Sequence, residues 1–323
     1  MATALRSAPL EIFDLRHFSS SELRPLLERE AERWAALLEW DYRGSAEMIL
    51  RYLDAKILPG YAAIENDRVK GYSFFVYEGS KGVIGDLFVD TNGRGSAHAE
   101  DIERRLLRHV IETLQNSPGI HRIEAQLLTH ESGQASAPFI AEGFRPFSRL
   151  FMHLTLAQAK PPRALPADVE LRGWSEESFQ GAASVITAAY RGHVDSEIND
   201  QYRSVSGSMR FLNNIVRFPG CGVFDGDASY VAIDKLTRAP IGVILCSRIK
   251  DDVGHITQVC VAPEHRGRGI GEALIGATQS SLQRRRFRAL SLTVTEANHG
   301  AVELYKRLNF VVKRVFDAFV WEG

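Results

Sequence analysis

The sequence predicts an α/β layered fold that occurs twice in one chain, and three observations carry that expectation. The element order β-α-α-β-β-β-α-β-α-β can be traced from residue 10 and again from residue 169. In each copy a strand leads through a glycine-bearing turn into a long amphipathic helix and then a further strand, the crossover of an α/β layered domain. Between the copies lies Lys160-Pro161-Pro162-Arg163-Ala164-Leu165-Pro166. Its prolines exclude a helix interior or a central strand, so it marks a linker. The expected domains are 1–160 and 161–323, related as repeats.

The elements follow in matching order. Short strands at Leu10-Glu11-Ile12 and Val169-Glu170-Leu171 open the copies. Helical periodicity over Ser20–Leu38 and Glu176–Tyr190 predicts the first helices, and Ala46–Ile57 and Ser208–Val216 the second. Turns at Pro59-Gly60 and Pro219-Gly220 follow. Then come β-type segments, Tyr61–Ile64, Tyr72–Tyr77 and Val83–Val89 against Ser229–Ile233, Ile241–Ile249 and His255–Val261. Amphipathic helices span Ile102–Leu114 and Glu272–Arg286, and each copy closes with a strand, a short helix and another strand.

Composition narrows the function classes. Among 323 residues, 39 basic side chains face 40 acidic ones, for a net charge of −1. That balance argues against a nucleic-acid partner, which calls for a basic surplus. No run approaches the roughly 18–20 apolar residues of a membrane helix, so no membrane partner is expected. Met-Ala-Thr-Ala-Leu-Arg-Ser at the start lacks a signal-peptide core, which favours a cytoplasmic location. Cys221, Cys246 and Cys260 stand in hydrophobic contexts without metal-ligand spacing. They are expected to be buried, reduced thiols, and no metal is expected. The Arg284-Arg285-Arg286-Phe287-Arg288 run reads as a solvated helix end, where cations complement the dipole.

The informative segment is His255-Ile256-Thr257-Gln258-Val259-Cys260-Val261-Ala262-Pro263-Glu264-His265-Arg266-Gly267-Arg268-Gly269-Ile270-Gly271-Glu272. A strand runs to Val261, and three alternating glycines then stand at the mouth of a helix. Glycine permits close backbone approach, and helix N-terminal N–H groups bind phosphate oxygens. Arg266 and Arg268 add positive charge, so this is a candidate phosphate-cradling loop. It lacks Gly-Lys-Ser/Thr and the Gly-x-Gly-x-x-Gly spacing, which excludes a P-loop and disfavours a dinucleotide fold.

The loop resembles that of the GNAT superfamily of acyl-CoA-dependent N-acetyltransferases, whose Arg/Gln-x-x-Gly-x-Gly/Ala pattern is met by Arg266 to Gly271. A second family pattern, Asn-x-x-Ala-x-x-Leu-Tyr-x-x-x-Gly-Phe, is met by Asn298 to Phe310, with Asn309 in the glycine's place. The resemblance is strong over 168–323 and rests on pattern alone over 10–158. The tandem arrangement is similar to that of mycothiol synthases. It implies two GNAT-fold domains, each a mixed, mostly antiparallel central sheet flanked by helices.

The resemblance also implies acetyl-CoA as acyl donor and direct attack by a primary amine in a ternary complex. The amine would belong to a small molecule, or alternatively to a protein N-terminus or lysine. A non-catalytic acyl-CoA sensor is the alternative of another class. Val259, Cys260 and Val261 would meet the pantetheine arm, and Arg266, Gly267, Arg268, Gly269, Ile270, Gly271 and Glu272 the phosphates. Asn298 would cap its helix and touch the arm.

Tyr305, seven residues after Asn298 and on the same helix face, is the candidate acid for the departing thiolate; the alternative is a packed core tyrosine. A phenol of pKa about 10 can protonate a thiolate, whose thiol has pKa about 8.5, mildly uphill unless the site tunes it. His255 stands where histone-acetylating relatives carry a catalytic glutamate and is the candidate base. An ordered water, or an amine already neutral, would replace it. The segment Tyr190–Tyr202 supplies candidate acceptor contacts in His193, Asp195, Asn199 and Tyr202, which suit a cationic amine.

Aligned on the second copy, the first places Arg94-Gly95-Ser96-Ala97-His98-Ala99 over the glycine loop, Val83 over His255, Phe139 over Tyr305 and Ser132 over Asn298. It is therefore expected to be catalytically silent. Its Trp34, Trp40 and Tyr42 read as core or inter-domain packing.

Overall fold

In the computed structural model, residues 10–90, 96–218 and 220–323 are described. Arg94 and Gly95 of the loop aligned over the glycine motif lie outside them, as does Pro219. The chain forms two compact units, and they are not the halves on either side of residue 160. One comprises the residues up to Leu37, Tyr42–Ser148 and Phe316–Gly323; the other comprises Leu38–Asp41 and Arg149–Val315.

The first unit holds strands β1 (Glu11–Asp14), β2 (Gly60–Glu65), β3 (Arg68–Glu78), β4 (Lys81–Val89) and β5 (Arg122–Gln126). Its helices are α1 (Ser20–Leu38), α2 (Arg43–Asp54), α3 (Ser96–Gln115) and α4 (Ser136–Ala141). The sheet order is β1-β2-β3-β4-β5, followed by the end of β13 (Val311–Glu322). All pairs are antiparallel except β4–β5, which α3 connects. The apolar stripe of α3, Leu106, Val110, Ile111 and Leu114, is fully buried against this sheet. Each such side chain contributes about 1.5–3 kcal/mol.

The second unit contains most of β6 (Arg145–Thr155), then β7 (Val169–Gly173), β8 (Val223–Phe224), β9 (Tyr230–Asp234), β10 (Pro240–Lys250), β11 (Val253–Val261) and β12 (Ala289–Thr295). Its helices are α5 (Phe179–Ala189), α6 (Asp195–Ile198), α7 (Val205–Arg217), α8 (Ile270–Arg284) and α9 (His299–Arg307). The order is β7-β9-β10-β11-β12-β6, with β8 on β10. Only β11–β12, joined through α8, is parallel. Leu274, Ile275 and Leu282 of α8 pack in one core. Ala183 and Ile186 of α5 and Leu212 and Ile215 of α7 form another with Val243 and Leu245 of β10.

Each unit is thus a mixed, mostly antiparallel sheet flanked by helices, as the sequence predicts, and the two sheets share one order. Each sheet takes its last strand from the other half of the sequence. Residues 149–155 pair with β12, and residues 318–322 pair with β5.

One irregularity in the second sheet sets up the site. Leu245 pairs with Gln258 but Cys246 with Ile256, a bulge at Thr257. Pairing of β11 with β12 stops at Ile256–Leu292. From Thr257 to Val261 the β12-facing backbone edge of β11 is therefore open.

Candidate active site

A cavity of about 520 Å³ lies beside that open edge, lined by Val259, Cys260 and Val261 of β11, the glycine loop, and Asn298, Leu304 and Tyr305 of α9. The loop forms because glycine occupies the left-handed positions: φ is 75° at Gly267 and 83° at Gly269, the N-cap of α8. The first turn of a helix leaves its N–H groups without intrahelical partners. Ala273 N–H reaches the Gly269 carbonyl at 3.0 Å, while those of Ile270, Gly271 and Glu272 remain for a ligand. A Cβ at Gly271 would meet nothing nearer than Val261 Cγ2 at 3.7 Å.

Of the two loop arginines, Arg266 lines the cavity and Arg268 does not, and both guanidinium groups are engaged within the protein. Arg266 donates to the Ala189 carbonyl at 2.6 Å and the Val261 carbonyl at 3.3 Å, tying the loop to α5 and β11. Arg268 is bound by Asp168, with both carboxylate oxygens at 2.6 Å. The cation over the loop is instead Arg163, a linker residue. Its Nε would lie 2.4 Å from a Cβ placed on Gly269, and its Nη1 is 3.3 Å from Glu272 Oε2. Arg163 and Arg307 both line the cavity. Spacing within the motif could not reveal them, because they arrive from distant chain.

Asn298 caps α9, accepting from Ala301 N–H at 3.3 Å. Asn298 and Tyr305 both line the cavity wall. Tyr305 is 7% exposed, and its hydroxyl has no hydrogen-bond partner among the described residues. Burial, and then the charges of Asp195 and Cys260, push its phenol above the usual value. That is the opposite of the tuning that would ease proton donation to a thiolate of ordinary basicity. Burial also pushes the Cys260 thiol up to about 12 on the same wall.

His255 does not line the cavity. It is 5% exposed, with Nδ1 2.9 Å from Ser291 Oγ and its ring between Trp40 and Phe151, centroids 5.1 and 5.9 Å away. Burial, helped by the charge of Arg149, lowers its pKa to about 3. An imidazole so weakly basic is a poor proton acceptor at neutral pH, which corrects the expectation of a base there. Trp40, expected to be core or inter-domain packing, is core of this unit.

The four acceptor candidates separate. His193 lines the cavity. Its Nδ1 lies 3.4 Å from Asp195 Oδ2, and Asp195 also accepts from Thr295 Oγ1. Tyr202 stacks on Tyr190 with centroids 4.4 Å apart, one layer behind the wall. Asn199 instead caps the turn after α6, accepting from Gln201 N–H at 3.0 Å. Tyr190 donates to Gln258 Oε1 at 3.2 Å, and Gln258 Nε2 is buried without a partner. Neither Tyr190 nor Gln258 was given a role in the sequence reading; Tyr190 lines the cavity and Gln258 is its hydrogen-bond partner. Cys246 is buried and Cys260 partly so, but Cys221 is exposed, contrary to expectation.

The first unit repeats the splay and fills it differently. Pairing of β4 with β5 stops at Ile84–Ala125. Just beyond lies Asp86, buried with Glu30. Tyr72 donates to Glu30 at 2.5 Å and Tyr42 to Asp86 at 3.1 Å, while Trp34 stacks on Tyr42 at 4.7 Å. Burial, reinforced by the Asp86 charge, holds Glu30 well above the usual carboxylate range. Phe139, opposite Tyr305 in the alignment, is fully buried and stacks on Phe319 at 4.1 Å. Ser132 donates to Asp317 at 2.7 Å. A groove between α3 and α4 is lined by Glu100, Asp101 and Glu103 with Arg104. A cavity of about 690 Å³ beside α1, β2 and β3 contains none of the motif residues.

A model of the acetyltransferase (GNAT) family matches residues 198–310. An uncharacterized N-acetyltransferase of Methanocaldococcus jannaschii is 38% identical over 102 residues, 30% of this chain and 44% of that protein. A mycothiol acetyltransferase of an Arthrobacter species is 30% identical over 217 residues, 62% of this chain and 61% of that one. The chain thus spans less than two thirds of either relative. Among solved structures, a GCN5-related N-acetyltransferase from Sphaerobacter thermophilus superposes with a TM-score of 0.69 at 18% identity, over 97% of this chain and 95% of that one. A tandem GNAT protein of the clavulanic acid biosynthesis pathway gives 0.60 at 18% identity, over 97% and 98%. No helix among the described residues is long and apolar enough to cross a membrane.

Proposed function

We propose, from the match of residues 198–310 to the acetyltransferase (GNAT) family model, that this chain transfers an acetyl group from acetyl-CoA to a primary amine of a small molecule. The observation that carries this reading is one shared wall. The open edge of β11, the glycine loop and the unpartnered Tyr305 hydroxyl meet in a single cavity. Val259 and Val261 would pair their backbones with the pantetheine amides, as an added strand does. Ile270, Gly271 and Glu272 would offer N–H groups to the pyrophosphate, with Arg163 above. A backbone N–H at the end of β11 would receive the oxyanion.

Acetyl-CoA supplies the thioester. Tyr305 gives its phenolic proton to the departing sulfur. Cys260 stays protonated, since its pKa is pushed up to about 12. That favours direct attack in a ternary complex over an acyl-cysteine intermediate. The relatives named for mycothiol acetylation, together with a cavity of about 520 Å³, favour a small acceptor. The test is a library of small amines and lysine- or amine-ended peptides, read by release of free thiol. Turnover is expected with small amines. Turnover confined to peptides would replace the acceptor class, and absence of CoA binding by calorimetry would end the enzymatic reading.

A further inference from the structure

We propose that the acceptor is an amine that also carries a carboxylate, and that Arg149 and Gln258 recognise that carboxylate, an assignment that rests on the transferase reading above and narrows it. Arg149 stands near the start of β6. Leu150, Met152 and Leu154 of that strand pack into the core with α8 and α9. Alternation turns Arg149, Phe151 and His153 to the opposite face, where Phe151 stacks on His255. Past its bulge, β11 alternates in the same way. Val259 and Val261 pack against the α8 and α9 core, and Cys260 against the core of α5 and α7. Gln258 shares the side of Cys260.

Both side chains carry donors with nothing to bind. Arg149 is partly buried. Its Nε is buried without a partner, and its guanidinium makes no hydrogen bond or ion pair among the described residues. Gln258 is 5% exposed. Its Oε1 accepts from Tyr190 at 3.2 Å, while its Nε2 is buried without a partner. Buried donors are ordinarily paired, and a guanidinium drawn out of water without a counter-ion is costlier still. The two lie on either side of one aromatic stack. Tyr202 stacks on Tyr190 at 4.4 Å, and the Arg149 charge opposes the rise that burial and Asp195 produce in the Tyr202 phenol. Tyr190 in turn lines the cavity. A carboxylate suits this donor set, because it meets a guanidinium through two parallel N–H···O bonds and keeps lone pairs for an amide.

A negative group stands close by and does not neutralise Arg149. Thr295 is the register partner of Arg149 across β6 and β12, and its hydroxyl donates to Asp195 Oδ1. Asp195 and Arg149 form no ion pair with each other. Asp195 lies beside His193 of the cavity wall. After burial, its charge is the next cause of the raised Tyr305 phenol. An anion and a cation held apart on one face fit a zwitterion. Asp195 would hold the amine toward Tyr305 and the thioester, and Arg149 with Gln258 would hold the carboxylate behind it.

The test sets α-, β- and γ-amino acids beside the amines that lack their carboxylate, in the free-thiol assay on the full chain. The best amino acid should exceed its matched amine in kcat/KM by roughly tenfold or more. Arg149→Gln should lower kcat/KM for that amino acid roughly 10- to 100-fold, through KM, and change the matched amine less than about threefold. Gln258→Glu keeps an oxygen toward Tyr190 and replaces the free donor with an anion, so it should penalise the amino acid and spare the amine. Unchanged acetyl-CoA affinity by calorimetry shows that each variant is folded. If Arg149→Gln loses that affinity, Arg149→Lys, which keeps the charge without the paired donors, decides by the same ratio. Equal kcat/KM for amino acids and amines, or a preference that survives loss of the guanidinium, would overturn the proposal. So would a preference for aminoalkyl phosphates over amino acids. A binding measurement separates this site from the transferase reading. With CoA present, the amino acids should raise the thermal midpoint of wild type and not that of Arg149→Gln. If no acceptor releases thiol but that shift appears, the transferase reading fails and the carboxylate site stands. Neither turnover nor a shift with any amino acid would overturn the site.

Discussion

Tyr305 and His255 illustrate how burial decides a residue's chemistry. Tyr305 keeps its proton and faces the cavity, so Tyr305→Phe should lower kcat by roughly 100- to 1,000-fold. The KM for acetyl-CoA should stay within a factor of about three, because packing is kept. Unchanged turnover in the free-thiol assay would remove Tyr305 as the acid. His255 is held neutral, with its pKa lowered from 6.5 to about 3. The folded state therefore binds this proton less readily than the unfolded chain. The associated stability is present above pH 6.5 and is lost as pH falls toward 3. Each pH unit in that window costs about 1.4 kcal/mol. Urea melts at pH 7.0 and 5.5 should show wild type losing more stability than His255→Asn, and equal losses would contradict the burial argument. Asn309, where the family pattern has glycine, adopts φ 67°, and its side chain donates to the Gln158 carbonyl at 2.9 Å. Asparagine is among the few residues that tolerate that conformation, so the departure from the pattern leaves the turn intact.

At the scale of elements, the glycine loop and the splay of β11 make the site. Gly269 sits at φ 83° with Arg163 packed against it, so Gly269→Ala should be strained and crowded. Its CoA affinity should fall by roughly tenfold or more. Gly271→Ala, with only Val261 at 3.7 Å, should change it less than about threefold. Calorimetric titration separates the two, and equal effects would argue against the cradle. The strand, loop and α8 were legible because alternating apolar residues and helix-mouth glycines are local signals. The helix start moved from Glu272 to Ile270 because Gly269 provides the N-cap. The bulge at Thr257 left no mark in the sequence, since it reflects register against β10. The protein partners of Arg266 and Arg268 were not legible for a related reason. Their partners, Ala189 and Asp168, are 77 and 100 residues away.

At the scale of the molecule, the repeat and the compact units diverge. Residues 149–155 pair along the whole of β12, so residues 161–323 alone would leave that strand with an unpaired edge. That fragment should aggregate or melt well below the full chain, as sedimentation and thermal melts would show. An equally stable fragment would refute the need for β6. The first unit has Phe139 opposite Tyr305, and its α3–α4 groove is lined by Glu100, Asp101 and Glu103. Calorimetry should therefore find one acetyl-CoA per chain; two equivalent sites would show that the first copy still binds.

The sequence by itself determined the duplication, the sheet-and-helix order, the likeness to the GNAT family and the positions of the glycine loop, Asn298 and Tyr305. Those properties rest on periodicity and on motifs whose residues are neighbours in the chain. Only the tertiary structure decided which strand completes each sheet, that Arg163 covers the loop, that His255 is buried away from the cavity, and that His193 faces it beside Asp195. These depend on burial and on partners far apart in sequence, and desolvation, which acts through three-dimensional surroundings, sets the charge each group can carry.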